Sequence, residues 1–311
     1  MLLGNQLRSD PNWVNFPFAD ESCISPSQLV WCGLPCLRGP ARHEPQGVDM
    51  RFSMKVHART GTCLALLLLA SGAFAETRMI NIGDRRLSIS CSGARTKATV
   101  VLVAGAGRTS ADWNKVVPEI AKFTRVCSYD RAGLGASEKT AKPQSEDEVL
   151  ADLHALLAAA GEEAPFLLVG HSLGGLYVRH YATKYPAEGA GLVLVDSAHE
   201  EQVWRFREIA PSMEAPAADG FLMKPGELLD WKTMLPMIVL THGELTPRDL
   251  PPGITEAQLQ GIEKTWQELQ LDLAKRSPTG ELRRAVWSHH FIQMTQPNLV
   301  IEAIRDIWQS L

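Results

Sequence analysis

The sequence predicts an α/β domain: a mostly parallel sheet with helices on both faces. Three observations carry that reading. Short apolar runs alternate with amphipathic stretches from residue 77 to the end of the chain. Runs such as Ala98–Val103 and Gly191–Val195 are apolar throughout, as expected of strands covered on both faces. A third run, Pro165-Phe166-Leu167-Leu168-Val169, breaks at Gly170-His171-Ser172-Leu173-Gly174-Gly175 into a helix carrying Leu176, Tyr177, His180 and Tyr181.

Taken in order, residues 77–82 and 85–91 read as a strand pair around Gly83-Asp84, a hairpin signal. The strand Ala98–Val103 ends at Ala104-Gly105-Ala106-Gly107. A helix is expected near Ala111–Lys122, then a strand over Arg125–Tyr129. Glu146–Ala160 places Val149, Leu150, Leu153, Leu156 and Leu157 at helical spacing. The strand before Ser172 and a helix to about Tyr185 follow, and then the strand Gly191–Val195. Residues 197–235 lose the alternation and hold Trp204, Phe206, Met213, Phe221, Met223 and Trp231. Met237–Thr241 resumes as a strand, Glu256–Lys275 as a helix, Leu282–Trp287 as a short strand and Asn298–Gln309 as a closing helix.

The first 75 residues fit none of this. Residues 54–75 run from the basic stretch Met54-Lys55-Val56-His57-Ala58-Arg59 through an apolar core, Leu64–Ala70, to Ala73-Phe74-Ala75. That is the form of a secretory leader, and the apolar core is short for a membrane span. The expectation is a start at Met54 or Met50, with residues 1–53 outside the mature protein. The alternative is a cytoplasmic tail with an uncleaved anchor. Cys23, Cys32 and Cys36 are too irregularly spaced for a metal knuckle. Beyond residue 75 the chain holds 25 Lys and Arg against 30 Asp and Glu. This mild acidity argues against nucleic acid or anionic membranes as main partners. Cys91 and Cys127 remain beyond the leader, an even pair that reads either as a disulfide or as two small buried hydrophobes.

The chemistry lies at the bend. Glycines at 170 and 174 leave room for a sharp strand-to-helix turn that lifts the Ser172 hydroxyl to the carboxyl edge of the sheet. There it meets a helix N-terminus whose N–H groups face a developing oxyanion. The other reading of the glycines is a bare structural turn. Val101-Leu102-Val103-Ala104-Gly105-Ala106-Gly107 with Asp112-Trp113 looks like an oxyanion-hole loop, and Tyr129-Asp130-Arg131-Ala132-Gly133-Leu134-Gly135-Ala136-Ser137 matches Tyr-Asp-Arg-x-Gly-x-Gly-x-Ser. With the element order, these stretches resemble the α/β-hydrolase fold over essentially all of 77–311. A dinucleotide-binding reading of Gly105-x-Gly107 fails, since Ser110 stands where the third glycine belongs.

The resemblance implies an eight-stranded, helix-covered, mostly parallel sheet with a short lid at about 197–235. It implies Ser172 as nucleophile and a base in Ser288-His289-His290-Phe291-Ile292-Gln293, where His290 takes the family position and His289 replaces a glycine. Read as a metal pair, His289 and His290 have no further ligand cluster to support them. The acid commonly follows the strand that is here Met237–Thr241, but Thr246 stands in the aspartate's place. Asp196, after the preceding strand, is the candidate; Glu244 and Asp249 stay open. The oxyanion donors would be the N–H groups of Leu173 and Ala106, and Asp130 with Arg131 an internal pair bracing their loop. The resemblance also makes the strands of Cys91 and Cys127 neighbours, which favours the disulfide. The expected activity is exported, cofactor-free and metal-free serine ester hydrolysis of a small apolar substrate. The alternatives are another bond on the same triad (C–C hydrolase, lactonase, peptidase or perhydrolase) and a non-catalytic binding protein. Oligomeric state is not legible.

Overall fold

The computed structural model describes residues 76–141, 144–211, 231–249 and 253–311. The expected leader and the region before it lie outside the described residues, as do Met213, Phe221 and Met223 of the lid segment. Among the described residues no helix is long and apolar enough to cross a membrane.

Eight strands form one sheet: β1 Glu76–Asn81, β2 Arg86–Ser92, β3 Thr99–Val103, β4 Val126–Tyr129, β5 Phe166–His171, β6 Gly189–Val195, β7 Met237–His242 and β8 Glu281–Ala285. Their spatial order is β1-β2-β4-β3-β5-β6-β7-β8. β2 runs antiparallel to β1 and β4, and every other pairing is parallel. Around the sheet lie α1 Val117–Ile120, α2 Glu146–Ala159, α3 Leu173–Lys184, α4 Gln202–Ile209, α5 Glu256–Lys275, α6 Ile292–Thr295 and α7 Pro297–Ser310.

The central strands are apolar throughout because alternate side chains serve opposite faces. Val101, Val103, Leu168, Leu192 and Leu194 pack with Leu153, Leu156, Tyr177 and Tyr181 of α2 and α3. Val100, Leu102, Leu167, Val169 and Val193 pack on the other face with Ile120 of α1 and Val300, Ile301 and Ile304 of α7. Each such buried aliphatic side chain contributes about 1.5 to 3 kcal/mol. Capping boxes start α2 (Ser145 with Glu148) and α5 (Thr255 with Gln258).

Three expectations shift. The helix expected near Ala111–Lys122 is a 3-10 turn, Ser110–Trp113, followed by the single-turn α1. Pro118 has no N–H to continue a helix from the preceding turn, but fits the first turn of a new one. β8 ends at Ala285 rather than Trp287, because the Trp287 N–H donates to Gln296 Oε1 and leaves the ladder. The closing helix is preceded by α6, and Pro297 separates the two. Cys91 faces Cys127 across the β2–β4 pair, and the two form a disulfide.

Candidate active site

Ser172 occupies the turn between β5 and α3 with φ 51° and ψ −122°, a region non-glycine residues rarely adopt. Its neighbours impose the conformation. The Ser172 N–H donates to the Val195 carbonyl, and the Ser172 carbonyl accepts from the N–H groups of Gly175 and Ala198. A Cβ at Gly170 would stand 2.3 Å from the Gly174 carbonyl oxygen, and one at Gly174 would stand 2.2 Å from the Val103 carbonyl oxygen. Only glycine lets helix and strands approach so closely.

The β3 loop closes over this turn. A Cβ at Gly105 would lie 3.2 Å from Ser172 Cβ, so the Gly105–Ala106 peptide sits beside the serine. Arg131 shapes it: the buried guanidinium donates to the carbonyls of Ala104 and Gly105, at 2.5 Å each. In a trans peptide the C=O and the following N–H point in opposite directions. Drawing the Gly105 carbonyl toward Arg131 therefore turns the Ala106 N–H away from it. The Asp130 carboxylate accepts from the N–H groups of Ser110 and Ala136, tying its own loop to the β3 loop. Asp130 and Arg131 both brace the loop through main-chain groups.

Asp196 follows β6, one strand over from Ser172, at φ 44° and with no solvent exposure. Four donors meet its two oxygens. Oδ2 accepts from His290 Nδ1 at 2.7 Å and His242 Nδ1 at 2.8 Å. Oδ1 accepts from the His242 N–H at 3.0 Å and Trp266 Nε1 at 2.9 Å. Burial alone would raise this carboxyl, but the His242 and His290 rings hold it below the usual carboxylate range.

His290 packs between Trp266, Phe291 and His171, with the His171 ring centroid 4.6 Å away. Its ring is partly exposed, and no hydrogen bond joins it to the Ser172 hydroxyl among the described residues. Such bonds commonly tighten only when substrate is bound. His171, at the end of β5, is buried and held neutral chiefly by that burial.

The other acid candidates lie apart from Asp196. Glu244 is exposed, and Asp249 pairs with His289 Nδ1 at 3.2 Å while capping Thr246. His289 thus faces Asp249, whereas His290 faces Asp196.

His242 and Trp266 are site residues the sequence reading passed over. His242 closes a strand that is apolar from Met237 to Leu240, and its Nε2 meets Glu263 Oε2 of α5 at 3.0 Å. Burial would lower this imidazole, but Asp196 and Glu263 at its two nitrogens push it up to about 10. A signal was present in α5, where Glu263, Gln267 and Gln270 interrupt the apolar stripe of Leu259, Ile262, Leu269 and Leu273. Polar groups on a buried face need partners there.

The lid segment is described at its two ends. Phe206 of α4 packs on Trp266 and Ile262, and the buried Trp231 donates to Thr183 Oγ1. These two aromatics fasten the segment to the core. At the start of the segment, Glu200 is buried between Arg179 and Arg276, and Arg276 pairs in turn with Asp272.

The serine aminopeptidase S33 family profile matches residues 94–231. The chain is 28% identical over 222 residues to "Uncharacterized protein YqjL" of Bacillus subtilis, covering 68% of this chain and 83% of that protein. It is 27% identical over 232 residues to "Putative carbamate hydrolase RutD" of Escherichia coli, covering 71% and 79%. Among solved structures, a thermophilic esterase from Thermogutta terrifontis superposes with a TM-score of 0.54 at 18% identity, over 76% of this chain and 99% of that one. With the sheet order and strand-to-helix turn described above, these likenesses show that the chain has the α/β-hydrolase fold.

Proposed function

We propose that the protein is a serine hydrolase that cleaves a carboxylic ester through an acyl-enzyme. The observation that carries this reading is the 2.7 Å contact between His290 Nδ1 and Asp196, on a loop packed against the residue preceding Ser172. In the reaction, Ser172 Oγ attacks the ester carbonyl while His290 Nε2 takes the hydroxyl proton. Asp196 fixes the His290 tautomer and stabilises the imidazolium. The N–H groups of Leu173, first in α3, and Ala106 receive the oxyanion. His290 returns the proton to the departing alkoxide, and water then releases the acid by the same route.

A serine at this turn disfavours the carboxylate-nucleophile chemistry of dehalogenases and epoxide hydrolases. The S33 match and the carbamate hydrolase likeness keep amide and carbamate bonds as comparison substrates. We also read the protein as exported, on the leader-like residues 54–75; the Cys91–Cys127 disulfide suits an oxidising compartment.

The test is fluorophosphonate labelling of the full chain beside Ser172→Ala and Asp196→Asn, followed by an acyl-length series of activated esters. The expected result is labelling that is lost in the first variant and strongly weakened in the second, with ester turnover exceeding that of matched amides and carbamates. Folded wild-type protein that neither labels nor turns over any ester would instead point to a binding protein on this fold.

A further inference from the structure

We propose that His242 is a positioning residue of the triad, holding Asp196 between two imidazoles so that His290 receives only part of the carboxylate's charge, with Glu263 setting how large that part is. This inference rests on the Ser172–His290–Asp196 reading above.

The geometry is a line of alternating charge. Glu263 of α5 meets His242 Nε2 at 3.0 Å; His242 Nδ1 meets Asp196 Oδ2 at 2.8 Å; and the same oxygen meets His290 Nδ1 at 2.7 Å. A carboxylate bonded at each His242 nitrogen requires each to carry a proton, because carboxylate oxygens only accept. His242 is therefore an imidazolium, in keeping with the upward shift that its two carboxylates cause. It is buried, so it cannot exchange Asp196 for water.

Asp196 has room for about four donors, and four are in place. Its orientation is thus set before substrate arrives. A cation on one side of the carboxylate also weakens the field it presents on the other. Asp196 then offers less stabilisation to positive charge developing on His290 than an unshared aspartate would. Glu263 offsets His242, so the set of Glu263, His242 and Asp196 carries a net charge of minus one.

The remaining charged and titratable groups facing this line are few among the described residues. Arg284 of β8 reaches Glu263 at 3.4 Å and donates to the Gly243 carbonyl. His171 lies under His290 and is neutral, and Arg108 lies over the Phe291 ring. Trp266 and Gln267 add no charge: they are neutral donors to Asp196 and Glu263 respectively.

The test is the pH dependence of fluorophosphonate labelling of the full chain, from about pH 4 to about pH 9, for the wild type, His242→Gln and Glu263→Gln. Removing the His242 cation is expected to move the acid limb of the profile up by about one pH unit. Removing the Glu263 charge is expected to move it down, and this partly exposed position gives a second measurement should His242→Gln fail to fold. Variants that label more slowly with the acid limb unmoved would overturn the inference and leave His242 a packing residue. A wild type that does not label at all would overturn the hydrolase reading itself.

Discussion

His171 Nε2 lies 3.0 Å from the main-chain carbonyl oxygen of His290. A carbonyl can only accept, so Nε2 carries the proton, and the residue preceding Ser172 holds the loop that bears His290. His171→Phe would keep a ring of similar size and lose this bond. The expected outcome is a fall in the labelling rate of about two- to tenfold together with a loss of about 1 kcal/mol in unfolding free energy, the value of one hydrogen bond. Parallel labelling kinetics and urea titrations would check it.

Arg131 is expected to act on the oxyanion loop without touching substrate. Arg131→Gln removes the paired donors that hold the Ala104 and Gly105 carbonyls. Turnover of a preferred ester should fall about ten- to a hundredfold in kcat with KM little changed, because an oxyanion donor acts in the transition state. A change confined to KM would count against that role.

The His242 imidazolium has a consequence for stability. Its folded value is about 10 against an ordinary 6.5, so the folded state holds this proton more tightly than the unfolded chain does. The resulting stabilisation is fully present below pH 6.5 and is lost as pH rises toward 10. It is on the order of 5 kcal/mol, at about 1.4 kcal/mol for each unit by which the folded value exceeds the ordinary one. Urea unfolding at about pH 7 and about pH 10 should show a larger loss for the wild type than for His242→Gln.

The disulfide gives a fourth expectation. Cys91 and Cys127 are 36 residues apart, and closing a loop of that length stabilises a fold by about 3 to 4 kcal/mol in the chain-entropy account. Cys91→Ala with Cys127→Ala should lower the unfolding free energy by about that amount. A loss well under about 1 kcal/mol would mean that the buried β2–β4 pair holds without the bond.

Much of this architecture was legible in the chain. The strands β3, β5, β6 and β7 are apolar runs whose alternate side chains feed two cores, and such a pattern allows few other arrangements. The capped helix α5 was readable to the residue, since its hydrophobic period is long and its start is marked by Thr255 and Gln258. The glycines around Ser172 announced a turn that no residue with a Cβ tolerates. Local chemistry sufficed in each case, because the forces that select these elements act between near neighbours in sequence.

The acid was of another kind. Asp196, Glu244 and Asp249 were all open in the sequence, since each follows a strand at the same edge of the sheet. What sets Asp196 apart from the other two is its contacts 46, 70 and 94 residues away, which bring His242, Trp266 and His290 to one buried carboxylate. No pattern along the chain encodes such a meeting: it depends on which strand ends the sheet order sets side by side and on which helix face is laid across them. The sequence by itself determined the sheet, the turn and the serine at its apex. Only the tertiary structure decided that Asp196 is shared between two histidines, because a buried charge takes its partners from space rather than from sequence.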